Sequence, residues 1–233
     1  ITLRQALGNS YNIPAVKLLA VIGLPEMIKM SKLMGITTFE SENNFGLSLT
    51  LGGGEIKMVD MMNVYGVLAT NGKYHNSVSI LKLEDAHGNL IEQYQIYGKQ
   101  VLESEIAFLL TDILSDNNAR SQAFGSNSPL KIDKHQVAVK TGTSDSKRDN
   151  WTFGYTPSYI VGAWVGNNDN SPMHPLLTSG ITGAAPIWRQ IMLKLLENKP
   201  PEKFERPDGI IEMTIRQGKP CLKEKCSGSK DLF

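Results

Sequence analysis

Residues 136–165 read QVAVKTGTSDSKRDNWTFGYTPSYIVGAWV, and this stretch decides the fold class. Gln136–Lys140 contains two valines in a short run, which predicts one strand. Trp151–Tyr155 and Tyr159–Val165 are aromatic and β-branched runs on either side of Thr156-Pro157, a dipeptide that favours a turn. The stretch therefore predicts a strand followed by a hairpin, which is the pattern of an antiparallel sheet.

The segments outside this stretch are mostly helical in pattern. Thr2-Leu3-Arg4-Gln5 has the form of a capping box, with Thr2 at the cap and Gln5 reaching back. Ile56–Thr70 is apolar on nearly all sides, which predicts a buried helix. Further helices are predicted at Pro14–Ile22, Pro25–Met34, Ser104–Leu114 and Gly183–Leu196, and a second hairpin at Val78–Leu83 with Leu90–Ile96. Helices come first, then strands that pair with near neighbours, then a closing helix, so we expect an α+β domain whose antiparallel sheet is covered by helices.

Composition excludes several classes of protein. The chain has 233 residues, of which 41% are hydrophobic and 20% charged, as in ordinary globular domains. Its 24 basic and 23 acidic residues give a net charge of +1, which argues against nucleic-acid binding by bulk electrostatics. No apolar run approaches the ~20 residues that span a bilayer, so we expect no membrane contact from this segment. The chain opens with Ile1 and has no signal-peptide pattern, so we expect that processing or truncation removed an earlier start.

The histidines and cysteines do not form a metal-binding pattern. No two of the four histidines are spaced at i, i+4, and two cysteines alone cannot fill a four-ligand zinc site. We therefore expect no metal and no cofactor. Cys221 and Cys226 either form a local disulfide or stay free thiols, and the sequence leaves both open.

Lys140-Thr141-Gly142-Thr143 is the most specific local string, and it lies at the end of the strand predicted at Gln136–Lys140. The lysine supplies a positive charge, and the threonine hydroxyls can hydrogen-bond a carboxylate. Gly142 has no Cβ, so the backbone of a ligand can come close to the strand. A peptide laid along such an edge would pair with the main chain as an added strand. The string alone fits an exposed turn equally well.

Ser10-Tyr11-Asn12 lies between the first two predicted helices, where a hydroxyl and a carboxamide two residues apart can face one site. The hydroxyl of Ser10 can relay a proton, and the amide of Asn12 can hold a peptide group. Taken alone, this string is better explained as a turn between helices.

Together, these two strings and their surroundings resemble the transpeptidase domain of penicillin-binding proteins. That superfamily is marked by S-x-x-K, then S-x-N or S-D-N, then K-T-G. The likeness to the bifunctional class A enzymes covers most of residues 1–200 and is closest to 1C-type members between residues 118 and 186. It lies in Thr2–Leu19, Asp116–Leu130, Val137–Asp169 and Ser179–Met192. The resemblance implies a partial transpeptidase domain over residues 1–200, with residues 201–233 as a tail or the start of a downstream segment.

The resemblance also implies a role for each site residue. Ser10 would be the middle-motif serine in the proton path to the leaving amine, and Asn12 would hold the acyl-donor peptide. Lys140 would supply positive potential and polarise the Ser10 hydroxyl. Thr141 and Thr143 would bind the terminal carboxylate of the donor or of a β-lactam. The backbone N–H of Thr143 would form half of the oxyanion hole.

The chain departs from the family at the nucleophile, because only nine residues precede Ser10 and the S-x-x-K segment should come several dozen residues earlier. Four later stretches match the bare pattern, beginning at Ser79, Ser128, Ser144 and Ser227. The nucleophile needs a helix N-terminus where Ser and Lys stack at i and i+3. Ser79 lies in a predicted strand, Ser128 precedes a proline, and the other two lie in polar loop or tail sequence. We therefore expect that the chain lacks the acylated serine and exposes apolar surface beside Lys140.

The partners and location follow from the resemblance. The parent protein would be a membrane-anchored, extracytoplasmic enzyme that cross-links peptidoglycan stem peptides and binds β-lactams, while this segment alone would be inactive. A non-catalytic penicillin- or peptide-binding sensor of the same fold is the alternative, and a serine β-lactamase fits less well. The three tryptophans could line a groove, but their spacing favours core positions. The oligomeric state stays open.

Overall fold

A computed structural model describes residues 1–39, 44–174, 179–216, 219–221 and 228–233. Its helices are α1 (Leu3–Gly8), α2 (Asn12–Ile22), α3 (Leu24–Leu33), α4 (Met58–Ala69), α5 (Ser104–Ser115), α6 (Ser121–Phe124) and α7 (Ala184–Leu196), with 3-10 turns at Leu47–Leu51 and Asp145–Lys147. The predicted capping box is present, since Thr2 accepts from the Gln5 backbone N–H and the Gln5 side chain accepts from the Thr2 backbone. Within the described residues, no helix is long and apolar enough to span a membrane.

Among the described residues, the strands form four antiparallel sheets. They are β1 (Lys73–His75), β2 (Lys82–Glu84), β3 (Leu90–Gln93), β4 (Gly98–Gln100), β5 (Ala138–Thr143), β6 (Asp149–Tyr155), β7 (Ile160–Gly166), β8 (Glu212–Arg216), β9 (Lys219–Pro220) and β10 (Ser229–Leu232). The strand orders are β5-β6-β7, β10-β8-β9, β1-β4 and β2-β3. Both predicted hairpins are present, although β2 and β3 are shorter than the sequence indicates and every residue in them is exposed. The expected α+β fold with an antiparallel sheet is confirmed.

Each face of the central sheet β5-β6-β7 packs against helices over part of its area, and side chains alternate between the two faces along each strand. Val139 faces one side, where it packs with Trp188 of α7. Ala138 and Tyr155 face the other side, where they pack with Phe108 of α5. The strand that carries Lys140 is therefore held between two apolar layers.

Two expectations about burial are wrong. The helix predicted at Ile56–Thr70 is only partly buried, since α4 packs on the sheet and on α5 with one side and leaves Val59 59% exposed. Of the tryptophans, Trp188 is fully buried, but Trp164 is 37% exposed. Trp164 lies on β7 beside Trp151, and its indole N–H donates to Asp149, so the ring covers the sheet at the surface.

The C-terminal residues pack onto the rest of the chain. Phe204 and Ile210 share a core with Tyr155 and Phe108. Beyond them, β8 pairs with β9 and β10, and Leu232 packs against the same core. Cys221 is disulfide-bonded, whereas Cys226 lies outside the described residues.

Candidate active site

Ser10 lies in a tight link between α1 and α2. Its backbone φ is 58°, in the left-handed region that residues with a Cβ rarely adopt. The Ser10 N–H donates to Leu7 O, and the Tyr11 N–H donates to Ala6 O, so the link is closed on the last turn of α1. The sequence placed Asn12 in the connector between the two helices. In the structure Asn12 is instead the first residue of α2. Pro14 therefore lies at the third helical position, still within the first turn, where no backbone N–H is needed.

Asn9 braces this link, and sequence reasoning missed it. The residue is 4% exposed. Its Nδ2 donates to Ala119 O at 2.7 Å and to Gln5 O at 2.9 Å, while its Oδ1 accepts from the Ala123 N–H at 2.9 Å. The amide side chain thus ties the end of α1 to the 119–123 segment and helps to hold Ser10 in place. No local pattern marks Asn9, because two of its three side-chain partners lie more than 100 residues away along the chain.

Lys140 reaches Ser10 across the site. Its Nζ donates to Ser10 Oγ at 2.6 Å and to Thr141 O at 2.9 Å. The structure therefore brings together the cation and the hydroxyl that the two sequence strings supply, although they are 130 residues apart. The Asn12 side chain is exposed, and among the described residues no hydrogen bond joins it to Lys140.

The environment of Lys140 weakens its hold on the proton. Burial, reinforced by the positive charge of Arg120, lowers the pKa of Lys140 to about 8. The ammonium still predominates at neutral pH, so it can polarise the Ser10 hydroxyl or attract a carboxylate. A bound anion would raise the pKa again, because an opposite charge favours the ammonium.

Arg120 lies beneath Lys140, and sequence reasoning missed it as well. The side chain is 3% exposed, and it donates to Val139 O at 3.1 Å and to Leu114 O at 2.8 Å. Its Nε has no hydrogen-bond partner among the described residues. Burial lowers the pKa of Arg120 to about 10, and nearby Asp116 opposes this shift. The guanidinium thus ties β5 to the end of α5 and keeps a positive charge beside Lys140.

The edge of β5 that faces away from β6 presents backbone groups of Thr141 and Thr143, and of these Thr141 O already accepts from Lys140 Nζ. Ser144 N–H donates to Asp149 O, and Thr143 is the partner of Asn150 in the register. Because hydrogen-bonded and non-hydrogen-bonded pairs alternate in antiparallel sheets, the N–H and C=O of Thr141 and Thr143 point away from β6. No other described strand pairs with this edge. An extended peptide can therefore add to β5 here.

The side chains around this edge leave room for a ligand. A Cβ at Gly142 would meet only Trp151 Cβ, at 3.5 Å, so packing inside the chain does not require glycine. Thr143 is exposed, and its Oγ1 accepts from the Gly180 N–H at 3.0 Å, which leaves its proton free to donate outward. A Cβ at Gly180 would lie 2.8 Å from Gly142 O, so the 179–183 turn sits directly against β5.

None of the three described S-x-x-K serines is placed as a nucleophile. Ser79 lies in a bend before β2, and not in a strand as predicted. Ser128 is buried and accepts from the Leu130 N–H, while the Ser144 hydroxyl bonds with Asp149. No hydrogen bond joins any of the three to Lys140 or Ser10. Ser227, which begins the fourth stretch, lies outside the described residues.

We expect Lys140→Met to stabilise the folded chain by about 1 kcal/mol at pH 7, because it removes a cation whose burial is unfavourable. The folded-state pKa of Lys140 lies below the value of 10.5 for an exposed lysine. The unfolded chain therefore binds the proton more tightly, and the penalty is present below pH 8 and vanishes as the pH rises to about 10.5. Urea unfolding from pH 6 to 10.5 measures this gain, which should shrink across the upper part of the range. An unchanged or lower stability at pH 7 would contradict the assigned burial cost.

Residues 1–193 match the family model described as "Penicillin binding protein transpeptidase domain". The chain belongs to this family. It is 29% identical to penicillin-binding protein 1A of Clostridium botulinum (strain Langeland) over 218 residues, which are 92% of this chain and 26% of that protein. It is 30% identical to penicillin-binding protein 2D of Bacillus subtilis over 220 residues, 92% of this chain and 31% of that protein. The chain thus spans between a quarter and a third of these relatives.

Solved structures show the same fold. Penicillin-binding protein 1A from Haemophilus influenzae superposes with a TM-score of 0.86 at 22% identity, over 100% of this chain and 40% of that one. PonA1 from Mycobacterium tuberculosis, in complex with penicillin V, superposes with a TM-score of 0.76 at 22% identity, over 97% of this chain and 62% of that one. The finer likeness to 1C-type members stays a prediction.

Proposed function

We propose that the chain is the part of a peptidoglycan D,D-transpeptidase domain that binds the donor stem peptide and assists acyl transfer. The single observation that carries this proposal is the 2.6 Å contact between Lys140 Nζ and Ser10 Oγ, beside a free strand edge. The donor peptide would add to β5, with its terminal carboxylate near Lys140 and the hydroxyls of Thr141 and Thr143. A β-lactam, which presents a carboxylate beside an amide, would occupy the same place.

The chemistry assigned to these residues is proton transfer and charge stabilisation. The Lys140 ammonium polarises the Ser10 hydroxyl, which passes a proton to the leaving amine as the serine ester forms. The outward N–H of Thr143 is oriented to stabilise the oxyanion, and removing one such donor typically lowers the rate about 100- to 1,000-fold. Asn12 would reach the donor peptide from the start of α2. Water or an amine would then attack the ester through the same oxyanion site.

We assign the acylated serine to sequence outside residues 1–233, since none of the three described S-x-x-K serines forms a hydrogen bond with Lys140 or lies at the start of an α-helix. Apolar side chains on α2, directly after Ser10, support a covering segment in the longer protein: Ile13, Leu18, Val21 and Ile22 are all exposed. The disulfide at Cys221 supports an extracytoplasmic location, because disulfides persist in oxidising compartments. The parent protein is accordingly proposed to be a membrane-anchored enzyme outside the cytoplasm.

A peptide titration followed by NMR tests the binding half of the proposal. A short peptide ending in D-Ala-D-Ala should shift the amide signals of Thr141 and Thr143 and raise the pKa of Lys140. The same peptide with a C-terminal amide is the matched control, and we expect it to bind at least about tenfold more weakly because it lacks the charge. Equal binding of both peptides, or shifts confined to other strands, would rule out the carboxylate site.

We expect no covalent adduct when the isolated 233-residue chain is incubated with a labelled penicillin. The physical reason is that none of the three described S-x-x-K serines lies at the N-terminus of an α-helix, where serine and lysine would stack at i and i+3. Intact-mass spectrometry measures the outcome. A stoichiometric adduct on Ser79, Ser128, Ser144 or Ser227 would show that the nucleophile lies within the chain.

Incubating the longer protein that contains this chain with penicillin distinguishes an enzyme from a binding domain. We expect it to form one penicilloyl ester, at a serine outside residues 1–233. If it binds the D-Ala-D-Ala peptide but is not acylated, the chain is part of a non-catalytic sensor. Rapid hydrolysis of the drug would instead indicate a serine β-lactamase.

A further inference from the structure

Arg4 on α1 connects three parts of the chain that are distant in sequence. Its Nη2 lies 2.7 Å from Asp112 Oδ2 and its Nη1 lies 3.2 Å from Asp116 Oδ2, both at the end of α5. Its Nε donates to Asp231 Oδ1 on β10 at 2.8 Å. The side chains of Arg4 and Asp231 are only 18% and 19% exposed. Such partly buried, charge-assisted hydrogen bonds are stronger than exposed ion pairs.

Helix α1 depends on these contacts because its apolar packing is slight. It has six residues, of which only Ala6 and Gly8 are buried, while Leu3 is 67% exposed. A helix this short is marginal without tertiary contacts. Arg4 therefore adds to the packing of Leu7 in holding α1 against α5, and Asp231 is the contribution of the C-terminal strand.

The orientation of α1 decides where Ser10 lies. The Ser10 and Tyr11 N–H groups donate to Leu7 O and Ala6 O, so the Ser10 link moves with the last turn of α1. The left-handed backbone of Ser10 costs about 1 kcal/mol or more, and such a conformation persists only where the surroundings hold it. A loosened α1 would let Ser10 relax and leave Lys140.

Asp116 extends the same network to the other side of Ser10. Its Oδ1 accepts from the N–H groups of Asn118 and Ala119, and Ala119 O accepts from the Asn9 side chain. We call Arg4, Asp112, Asp116 and Asp231 the Arg4 cluster. This cluster thus holds the Ser10 link in place both through α1 and through the 118–120 turn.

From this network we infer that β10, through Asp231, is a positioning element for Ser10. The family model ends at residue 193, so it covers neither β10 nor Asp231. The effect on catalysis rests on the proposed function, whereas the effect on the conformation of Ser10 does not. Residues 228–233 are in this view an integral part of the site and not an appended tail.

Asp231→Asn in the full chain tests the inference, with Glu212→Gln as the matched control. Glu212 pairs with Lys230 at 2.8 Å on the same two strands, but both side chains are exposed, and among the described residues neither forms a hydrogen bond or ion pair with Arg4. We expect Asp231→Asn to speed amide hydrogen exchange at Ser10 and Tyr11 about five- to tenfold, as the loss of one charged hydrogen bond allows. Glu212→Gln should leave exchange there unchanged, and Asp231→Glu should restore part of the protection. Faster exchange confined to β8 and β10 in Asp231→Asn would overturn the inference.

A second readout keeps this result separate from the proposed function. In the longer protein, Asp231→Asn should lower kcat of transpeptidation about five- to tenfold and leave KM for the peptide unchanged, because β5 keeps its place. A rise in KM alone, at unchanged kcat, would contradict a role in positioning Ser10. If the longer protein has no activity, the proposed function fails, while the exchange result still decides the positioning role.

Discussion

Replacing Lys140 by methionine in the longer protein should lower the rate constant of penicillin acylation about 100- to 1,000-fold. Methionine has a similar length but cannot donate to Ser10 Oγ or Thr141 O, both of which lie within 3 Å of the ammonium. Ser10 would lose its polarising partner, and the ligand carboxylate would lose a cation. Stopped-flow mixing with a fluorescent penicillin measures the rate, and Lys199→Met, a change at an exposed lysine after α7, is the control.

The pH profile identifies the charge state that acts. In the wild-type protein, kcat/KM reports the free enzyme, so it should fall as the pH rises through about 8 and the Lys140 ammonium loses its proton. In Lys140→Met this inflection should disappear. A rate that rises with pH through the same range would show that neutral Lys140 acts as a base, and the assigned role would be wrong.

Trp188→Ala should have the largest effect on stability, a loss of about 3–5 kcal/mol. Trp188 is fully buried between α7 and the sheet, where its Cζ2 lies 2.4 Å from the position that a Cβ on Gly154 would occupy. The Trp188 ring packs directly on the backbone of β6 at Gly154, where there is no Cβ. An alanine at position 188 would therefore leave a cavity between α7 and the sheet. Urea unfolding of the chain measures the loss.

Two further variants separate packing from polarity. Trp188→Phe keeps a ring against Gly154 and removes an indole N–H that has no partner among the described residues, so it should cost much less than alanine. Trp164→Ala also replaces a tryptophan by alanine, but at a position on β7 that is 37% exposed. It should lower the free energy of unfolding by no more than about 1 kcal/mol. Similar losses at both tryptophans would show that α7 does not hold the sheet as described.

Local patterns were enough for the main elements of the fold. The runs at Trp151–Tyr155 and Tyr159–Val165 became β6 and β7, since alternation and a turn signal depend only on near neighbours. The prediction that the helix at Ile56–Thr70 is buried was wrong, because the apolar pattern of a helix does not say how many neighbours will cover it. The prediction that Trp164 is a core residue was wrong for the same reason.

The residues Lys140 and Ser10 could be selected from the sequence, because each belongs to a short string whose chemistry is visible in the letters. Their meeting at 2.6 Å could be anticipated only through the resemblance to a family. Asn9, Arg120 and the Arg4 cluster could not be selected at all. Each has at least one partner between 19 and 227 residues away, and no pattern within a helix or strand encodes such a distance.

The central strands and the main helices, the residue types at the site and the near-zero net charge were therefore determined by the sequence itself, because these depend on composition and on neighbours within a few residues. The tertiary structure decided the pKa of Lys140, the left-handed backbone of Ser10 and the ion pair that joins β10 to α1. These properties arise from burial and from charges brought together in space, and folding alone creates them.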